Sequence, residues 1–368
     1  MGLRGICMDR KIYDYWLYAL PYIGKKTFLR LLEEGYVSDF LYECTEEKLP
    51  SFLSEKQKAS IIKGRHAEKT NLENAYKKLE HHGIYMTVYK NPDYPEKLYS
   101  IPDPPAVLFY KGSLSFLEGK NIAVIGARNC SEYGKYVARR FASCFAKNGV
   151  TVISGMAGGI DGHAQKEAIL QGGSSVGVLG SGVEVCYPAE NYGLYQELIK
   201  KGCVLSEYLP YVKASANLFP PRNRIISGLA DALVVIEARE KSGTLITVEM
   251  ALEQGKEVYV VPGRITDELS KGCNKLLWEG AYPAVSPEKV LESLYGDNYA
   301  DSIDKGMVIG NNVQNMILSF LEMTPVHIDI LQQRTGLPME VINKEIFLMT
   351  LEGMVMEPAN GWYCKTSE

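Results

Sequence analysis

Four segments of this sequence place small, hydroxyl or basic residues directly after a short apolar run and before an amphipathic one. An apolar run followed by an amphipathic one predicts a strand followed by a helix. At the start of a helix, free N–H groups and the helix dipole attract anions. We therefore expect phosphate binding at these segments, which are VIGARNCSEYG (124–134), ISGMAGGIDGHA (153–164), NLFPPRNRIISGLADA (217–232) and EAREKSGTLITVEMALEQGK (237–256).

The first segment offers a single cation. Arg128 stands two residues after Gly126, where the predicted strand ends, and Gly134 begins the next helix. The planar guanidinium of arginine suits a phosphate, although pairing with a neighbouring carboxylate is the alternative. The segment lacks the G-x-G-x-x-G pattern of dinucleotide-binding proteins.

The second segment is built from small residues. Ser154, Gly155 and Gly159 would let a ligand approach the backbone closely, and Lys166 on the second helical turn could reach the same edge. Asp161 is expected to cap the helix. No acidic partner stands at a telling spacing from His163, so we assign it no role.

The third segment carries two arginines at a predicted helix start, following Pro220 and Pro221. A cation there is disfavoured by about 0.3–1 kcal/mol, so Arg222 and Arg224 suggest that an anion binds between them. The alternative is a patch that serves solubility. Phe219 could stack on a base, although a core position is equally compatible with its type.

The fourth segment resembles an abbreviated phosphate loop. Lys241, Ser242, Gly243 and Thr244 open a predicted helix, but the G-x-x-x-x-G-K-[ST] pattern of nucleoside triphosphatases is absent. A capped loop with Thr244 as the N-cap is the alternative, and it is compatible with phosphate binding.

Charge is concentrated at this predicted edge rather than spread over the chain. The net charge of the 368 residues is −4, and five basic residues fall within positions 213–241, namely Lys213, Arg222, Arg224, Arg239 and Lys241. A focused basic edge suits a polyanion, and a single strand suits it better than a duplex because stacking can add to the charge. Residues 296–368 carry 4 Lys or Arg against 10 Asp or Glu, which disfavours DNA binding there.

Composition excludes several other classes of protein. Apolar residues make up 46% and charged residues 23%, which argues against global disorder. No run of 18 apolar residues predicts a membrane-spanning helix, and the N-terminus lacks the apolar stretch of a secretory signal. Eight cysteines without a C-x-x-C pair indicate reduced thiols and no zinc site. We therefore expect a cytoplasmic protein without a metal or cofactor and without a membrane partner.

Alternating strands and helices over 121–295 predict the architecture that positions these segments. Short Val- and Ile-rich runs alternate with amphipathic stretches, which indicates a parallel sheet covered on both faces, that is, a doubly wound, Rossmann-like α/β domain. We predict a helical N-terminal domain over 1–65, a DNA-binding domain over 66–295, a linker over 296–312 and a winged helix over 313–368. The Gly24-Lys25-Lys26 turn could hold a phosphate, but a plain packing unit is the favoured interpretation.

Seven motifs, in order along the chain, resemble the DprA/Smf family of DNA-processing proteins. They are YPEKLYSIPDPPAVLFYKG, VIGARNCSEYG, SGMAGGIDGHAQ, VLGSGVEVCYPAEN, FPPRNRIISGL, SGTLITVEMALEQGKEVYVVPG and SKGCNKLLWEGA. The resemblance implies an extended Rossmann fold and single-stranded DNA binding. It also implies protection of incoming DNA in natural transformation, loading of the RecA recombinase, and a homodimer formed through the Rossmann domain.

The resemblance also assigns residues to DNA binding. Arg128 matches the family's arginine after the first strand, Arg222–Arg224 match its R-N-R signature with Asn223 between the arginines, and Lys241–Thr244 match its basic-Ser-Gly-Ser/Thr loop. Two positions depart from the pattern, because Gly158 stands where the family usually has arginine and Gln165 where it has histidine. One basic contact is therefore expected to be missing, and Lys166 could partly replace it.

An enzyme is the competing class. Related Rossmann folds cleave nucleotides at the N-glycosidic bond with a glutamate after a Gly-Thr loop, and Glu249 follows Thr244 here in a loose echo of that spacing. No nucleophile stands with a base, and no ligands stand at metal spacing, so we expect no catalysis. A regulator acting through the winged helix is a third possibility.

Overall fold

A large mixed sheet organises the computed structural model, which describes residues 9–66, 69–296, 312–322, 324–351 and 353–366. Within these ranges nine strands form this sheet in the order β1-β2-β6-β5-β4-β3-β7-β8-β9. They are β1 (Tyr85–Val88), β2 (Val107–Gly112), β3 (Asn121–Ile125), β4 (Thr151–Ser154), β5 (Ser175–Val178), β6 (Gly202–Ser206), β7 (Ala232–Val235), β8 (Glu257–Val260) and β9 (Tyr282–Pro283).

Strands β3 to β9 run parallel, whereas β2 pairs antiparallel with β6 and with β1 at one edge. The four-residue strands β4, β5 and β7 are buried along their whole length because helices cover both faces. The covering helices are α6 (Glu132–Lys147), α7 (Ile160–Leu170), α8 (Tyr192–Lys201), α9 (Phe219–Leu229), α10 (Gly243–Glu253), α11 (Lys271–Trp278) and α12 (Pro287–Tyr295). The predicted doubly wound α/β fold is confirmed.

The two faces of the sheet have separate cores. Side chains of α9, α10 and α11 pack on one face of β3 and β7 through Ala123 and Leu233. Helices α6, α7 and α12 pack on the other face through Val124 and Val234. Adjacent residues of one strand thus enter opposite cores, as the two-residue period of a strand requires.

Strand β3 is the point at which the winding changes direction. From β3 the chain adds β4, β5 and β6 on one side, and it then returns to place β7 on the other side of β3. The connections after β3 and β4 therefore run toward one edge of the sheet, whereas the connection after β7 runs toward the other edge. A crevice for ligands is expected at such a switch point.

In the described residues before β1, five α-helices share a hydrophobic core with the antiparallel edge of the sheet. Ile61 and Leu31 lie in the same cluster of buried residues as Met86 and Phe109 of β1 and β2. The fifth helix follows the boundary that the sequence predicts at residue 65, and this boundary stays a prediction. The helices are α1 (Arg10–Ala19), α2 (Lys25–Glu33), α3 (Ser38–Glu43), α4 (Glu55–Arg65) and α5 (Lys69–His81).

The C-terminal part forms the predicted winged helix. Strands β10, β12 and β11 form a three-stranded sheet in that order beside a core that includes Ile317 and Ile346. Gly336 ends the middle helix in a left-handed conformation, with φ of 67°. The elements are α13 (Asn312–Phe320), β10 (Val326–His327), α14 (Ile328–Thr335), α15 (Met339–Leu351), β11 (Val355–Ala359) and β12 (Trp362–Lys365).

The predicted linker over 296–312 lies almost wholly outside the described residues. None of the helices in the described part of the chain is long and apolar enough to cross a membrane.

A buried ion pair joins α9 to the residue that follows β6, and Lys25 of α2 connects it to the N-terminal helices. Both guanidinium Nη atoms of Arg224 on α9 donate to the carboxylate of Glu207, at 2.7 and 2.6 Å, and both side chains are less than 8% exposed. Lys25 of α2 lies 3.9 Å from Glu207 and 2.6 Å from Asp103. Burial alone would raise the pKa of Asp103, but the Lys25 hydrogen bond and the Arg224 charge outweigh burial and lower this pKa.

We predict that Glu207→Ala destabilises the fold by about 3–5 kcal/mol, because it leaves the Arg224 charge buried without its bidentate partner. Glu34→Ala is the matched control, since Glu34 pairs with Arg30 on the surface of α2 at 2.8 Å. Exposed pairs of this kind contribute about 0–1 kcal/mol. Urea unfolding of both variants gives the comparison, and equal losses of stability would contradict the structural role of the buried pair.

Candidate nucleic-acid interface

A cleft of about 480 Å³ opens at the winding reversal of the sheet, and we call it the switch-point cleft. Its wall begins at the end of β3, with Gly126 and Arg128, and continues through Ala157 before α7. The first turns of α9 and α10 close the other side with Asn223 and Thr244. The predicted third and fourth segments therefore meet the first segment in one place.

Helix α10 presents its N-terminus to this cleft. Ser242, Gly243 and Thr244 all line it, and the backbone N–H of Thr244 donates to the Ser242 hydroxyl at 3.1 Å. Ser242 is thus the N-cap, which corrects the alternative that placed Thr244 in that role. A helix start at the wall of a cleft provides a positive potential for a phosphate.

The loop between β4 and α7 is held in an unusual backbone conformation. Met156 has a φ of 53°, in the left-handed region that residues with side chains avoid. The Gln165 side chain accepts from the Met156 N–H at 3.0 Å, and the Asn191 amide donates to the Met156 and Ala157 carbonyls at 3.0 and 3.1 Å. These bonds hold the loop that forms one wall of the cleft.

Gly159 is required where this loop meets the loop after β3. Its φ is 73°, and a Cβ at this position would collide with the Ala127 and Arg128 carbonyls. Gly159 occupies the N-cap position of α7, so the prediction that Asp161 caps this helix is wrong. Asp161 instead accepts from the Gly155 N–H at 3.1 Å, and burial raises its pKa.

Arg222 lies at the floor of the switch-point cleft. Its guanidinium donates to the Gly155 carbonyl at 2.8 Å and to the Val178 carbonyl, and the residue is only 4% exposed. Burial lowers the pKa of Arg222 to about 10, against the opposing charge of Asp161. Arg222 therefore adds positive charge beneath the cleft while it binds the ends of two strands.

Arg224 lies elsewhere. Its guanidinium is committed to Glu207 and to the Asp103 carbonyl at 2.7 Å, and it does not line the switch-point cleft. The sequence predicts that Arg222 and Arg224 hold one anion between them. Residues two apart on a helix point to different sides, which is why the structure separates them.

An aromatic pair stands at the rim of the switch-point cleft. The rings of Phe219 and Tyr187 are stacked, with centroids 5.4 Å apart and planes at 30°. The Arg128 Cζ atom lies 5.2 Å from the Phe219 centroid, within the range of a cation–π contact. Tyr187 is 48% exposed. The sequence predictions do not include it, because its place beside Pro188 in a strand-to-helix connection is its one signal in the sequence.

The remaining predicted residues take different positions. Ser154 is buried and donates to the Val124 carbonyl at 2.7 Å, and Gly155 packs against Arg222. Lys241 is exposed immediately before Ser242. Lys166 is exposed on α7 and lines a second cleft, of about 470 Å³, rather than the switch-point cleft.

The two departures from the family pattern have different structural settings. Gln165 is fully buried, and its amide donates to the Val176 carbonyl at 3.0 Å. Gly158 has open space around it, because a Cβ there would have its nearest neighbour, the Arg128 carbonyl, at 4.0 Å. A long basic side chain would therefore fit at position 158. A side chain at position 165 is buried and could not contact DNA.

Neither a cluster of metal ligands nor the hydrolase-like glutamate lies in the described part of the switch-point cleft. In the described ranges, no group of three His, Cys, Asp or Glu side chains could hold a metal ion. Glu249, the residue in the position of a hydrolase glutamate, is exposed on α10 and does not line the switch-point cleft.

Comparison with known proteins identifies the family. The model of the DNA recombination-mediator protein A family matches residues 85–295, and that of the DprA winged helix domain matches residues 310–360. The DNA processing protein DprA of Bacillus subtilis is 40% identical over 272 residues, which is 72% of this chain and 90% of the relative.

Two solved structures are similar as well. The X-ray structure of DprA from Streptococcus pneumoniae matches with a TM-score of 0.68 and 33% identity, over 78% of this chain and 98% of that one. A Helicobacter pylori DNA processing protein A structure, described by its single-stranded DNA binding mode, matches with a TM-score of 0.52 and 28% identity, over 57% of this chain and 95% of that one. On its sequence, its fold and its winged helix, this chain belongs to the DprA family of DNA-processing proteins.

Proposed function

We propose that the switch-point cleft binds the backbone of single-stranded DNA. The observation that carries this proposal is the assembly of Arg128, the Tyr187–Phe219 pair and the start of α10 around one open cleft. The guanidinium and the helix N–H groups suit phosphates, and the exposed Tyr187 ring offers a face to a base. The Helicobacter pylori relative, described by its single-stranded DNA binding mode, supports the proposal.

Within this proposal the predicted residues take distinct roles. Arg128, Lys241, Asn223 and the α10 start contact phosphates, and Phe219 with Tyr187 stacks on bases. Arg222, Ser154, Gly155 and Gly159 hold the cleft in shape. Such a site selects a single strand over a duplex, because the bases of a duplex are already stacked on each other.

We propose that the bound strand is incoming DNA in natural transformation, which the protein protects and passes to the RecA recombinase. Membership of a family described as DNA recombination mediators supports this role. A cytoplasmic location follows from such a partner, and it agrees with the free thiols of all seven described cysteines. We propose no enzymatic activity, so incubation with nucleoside monophosphates should release no free base.

We also propose that two copies associate through the Rossmann-like domain. Trp278 at the end of α11 is 92% exposed, and Leu252 of α10 and Tyr282 of β9 are 59% and 50% exposed. Leu252 and Tyr282 border one shallow cleft. We propose that these exposed side chains form one apolar patch, which a two-fold axis would bury against its copy.

We predict that Arg128→Ala weakens binding of oligo(dT) about tenfold and lowers the slope of log affinity against log salt by ~0.7, because one phosphate contact is lost. Tyr187→Ala should weaken binding at every salt concentration without changing that slope, since stacking is not ionic. Fluorescence anisotropy across a salt series measures both effects. The control is Lys147→Ala, an exposed cation at the far end of α6.

The same variants test the recombination role. Arg128→Ala should slow the nucleation of RecA on single-stranded DNA coated with single-strand-binding protein, whereas Lys147→Ala should not. Unchanged DNA affinity in both Arg128→Ala and Tyr187→Ala would contradict the assignment of the cleft.

We predict that Gly158→Arg strengthens binding of oligo(dT) and steepens the salt slope by ~0.7, because it adds one cation beside the switch-point cleft. The open space at position 158 admits the side chain. Gly158→Gln is the matched control, with similar length and no charge, and it should leave the slope unchanged. A salt slope that steepens equally in both variants would show that the added charge at position 158 is not the cause of the change.

We predict that Trp278→Lys shifts the protein from dimer to monomer, because it places a charge within the apolar patch. Sedimentation equilibrium measures the molar mass directly. Ile265→Lys is the control, since Ile265 is 86% exposed outside this patch. A dimer that persists unchanged in Trp278→Lys would place the contact between copies on another surface.

A further inference from the structure

Basic side chains form a ridge on two adjacent helices beside the switch-point cleft. Lys135 and Arg139 lie one turn apart on α6, and His163 and Lys166 lie one turn apart on α7. The two helices pack side by side in one core. We call these four residues the α6–α7 ridge, and the proposed function described above gives none of them a role.

The potential on this ridge is positive. The pKa of His163 is lowered, first by partial burial and then by the charges of Arg139, Lys135 and Lys166, with Glu132 opposing them. Lys135 pairs with Glu132 at 2.5 Å, so these two charges largely cancel. Arg139 and Lys166 form no ion pair with any residue in the described ranges. Two uncompensated cations therefore remain on the ridge.

The ridge is continuous with the switch-point cleft. Ala157 lines the switch-point cleft, whereas Gly159, His163 and Lys166 line the second cleft, so the two clefts meet across one short loop. Gly158 and Gly159 place no side chain between them. Consecutive Cα atoms are about 3.8 Å apart, so these two glycines span a short stretch of backbone between the lining residues of the two clefts.

The second cleft is asymmetric in charge. On its α8 side, Lys201 pairs with Glu197 at 3.5 Å, and Glu190 adds a negative charge. On its α7 side, Lys166 forms no ion pair with any residue in the described ranges, and the charges of Lys166 and of Arg139 on α6 both act on His163. A polyanion that entered this cleft would therefore follow the α6–α7 ridge and avoid α8.

We propose that a DNA strand held in the switch-point cleft continues over Gly158 and Gly159, where Arg139 and Lys166 contact its next phosphates. This inference rests on the proposed function of the switch-point cleft, because the stacked Tyr187–Phe219 pair lies at that cleft and the ridge offers cations to the backbone. The ridge extends the footprint on the DNA without adding sequence preference, since it contacts only the backbone.

The test compares a short and a long oligonucleotide on the full chain. The double variant Arg139→Ala/Lys166→Ala should weaken binding of a dT 15-mer about tenfold and lower its salt slope by ~1.4, because two phosphate contacts are lost. Binding of a dT pentamer, which fills only the switch-point cleft, should change less than about twofold. Lys56→Ala/Lys63→Ala removes the same charge from exposed positions on α4 and should leave both affinities unchanged.

Reversing the two charges distinguishes the loss of a DNA contact from a loss of folded structure. Arg139→Glu/Lys166→Glu should weaken 15-mer binding further while pentamer binding and the thermal unfolding midpoint stay close to those of the unmodified protein. Equal loss of pentamer and 15-mer affinity, or no loss of either, would overturn the proposal that the α6–α7 ridge contacts DNA. Failure of the switch-point cleft has a different signature, since Arg128→Ala would then leave pentamer binding intact.

Discussion

The guanidinium of Arg222 is the interaction on which the site depends. A buried cation must find an acceptor for each donor or lose the free energy of its hydration. Arg222 meets this requirement with the Gly155 carbonyl just after β4 and the Val178 carbonyl at the end of β5, together with the charge of Asp161. The start of α9 is thereby fixed against the carboxyl ends of two strands, and every other wall of the cleft is arranged around that attachment.

This attachment also explains how the loops beside the cleft keep their shape. Both backbone polar groups of Gly155 form hydrogen bonds, since its carbonyl accepts from Arg222 and its N–H donates to Asp161. Met156 then adopts its left-handed conformation with Gln165 and Asn191 as partners. A preorganised loop loses little conformational entropy when a ligand binds, and this favours affinity.

The sequence predicts the strands and helices of the sheet well, but it predicts the partners of individual charged side chains poorly. The six apolar runs of the parallel sheet and the helices between them could be predicted because burial on both faces requires continuous Val and Ile. The different positions of Arg222 and Arg224 could not be predicted, because Arg224 pairs with Glu207, which is distant along the chain. Tyr187 was missed for a similar reason, since its partner Phe219 comes from another connection. Spacing along the chain does not reveal such partners.

The core that the N-terminal helices share with β1 and β2 has a consequence for how the molecule opens. Helices that bury their apolar face against a sheet edge cannot detach without exposing that edge to water. The N-terminal helices and the antiparallel strands therefore form one cooperative unit, in which amide hydrogens exchange together. The winged helix has a core of its own, so it can unfold and refold while the nine-stranded sheet remains intact.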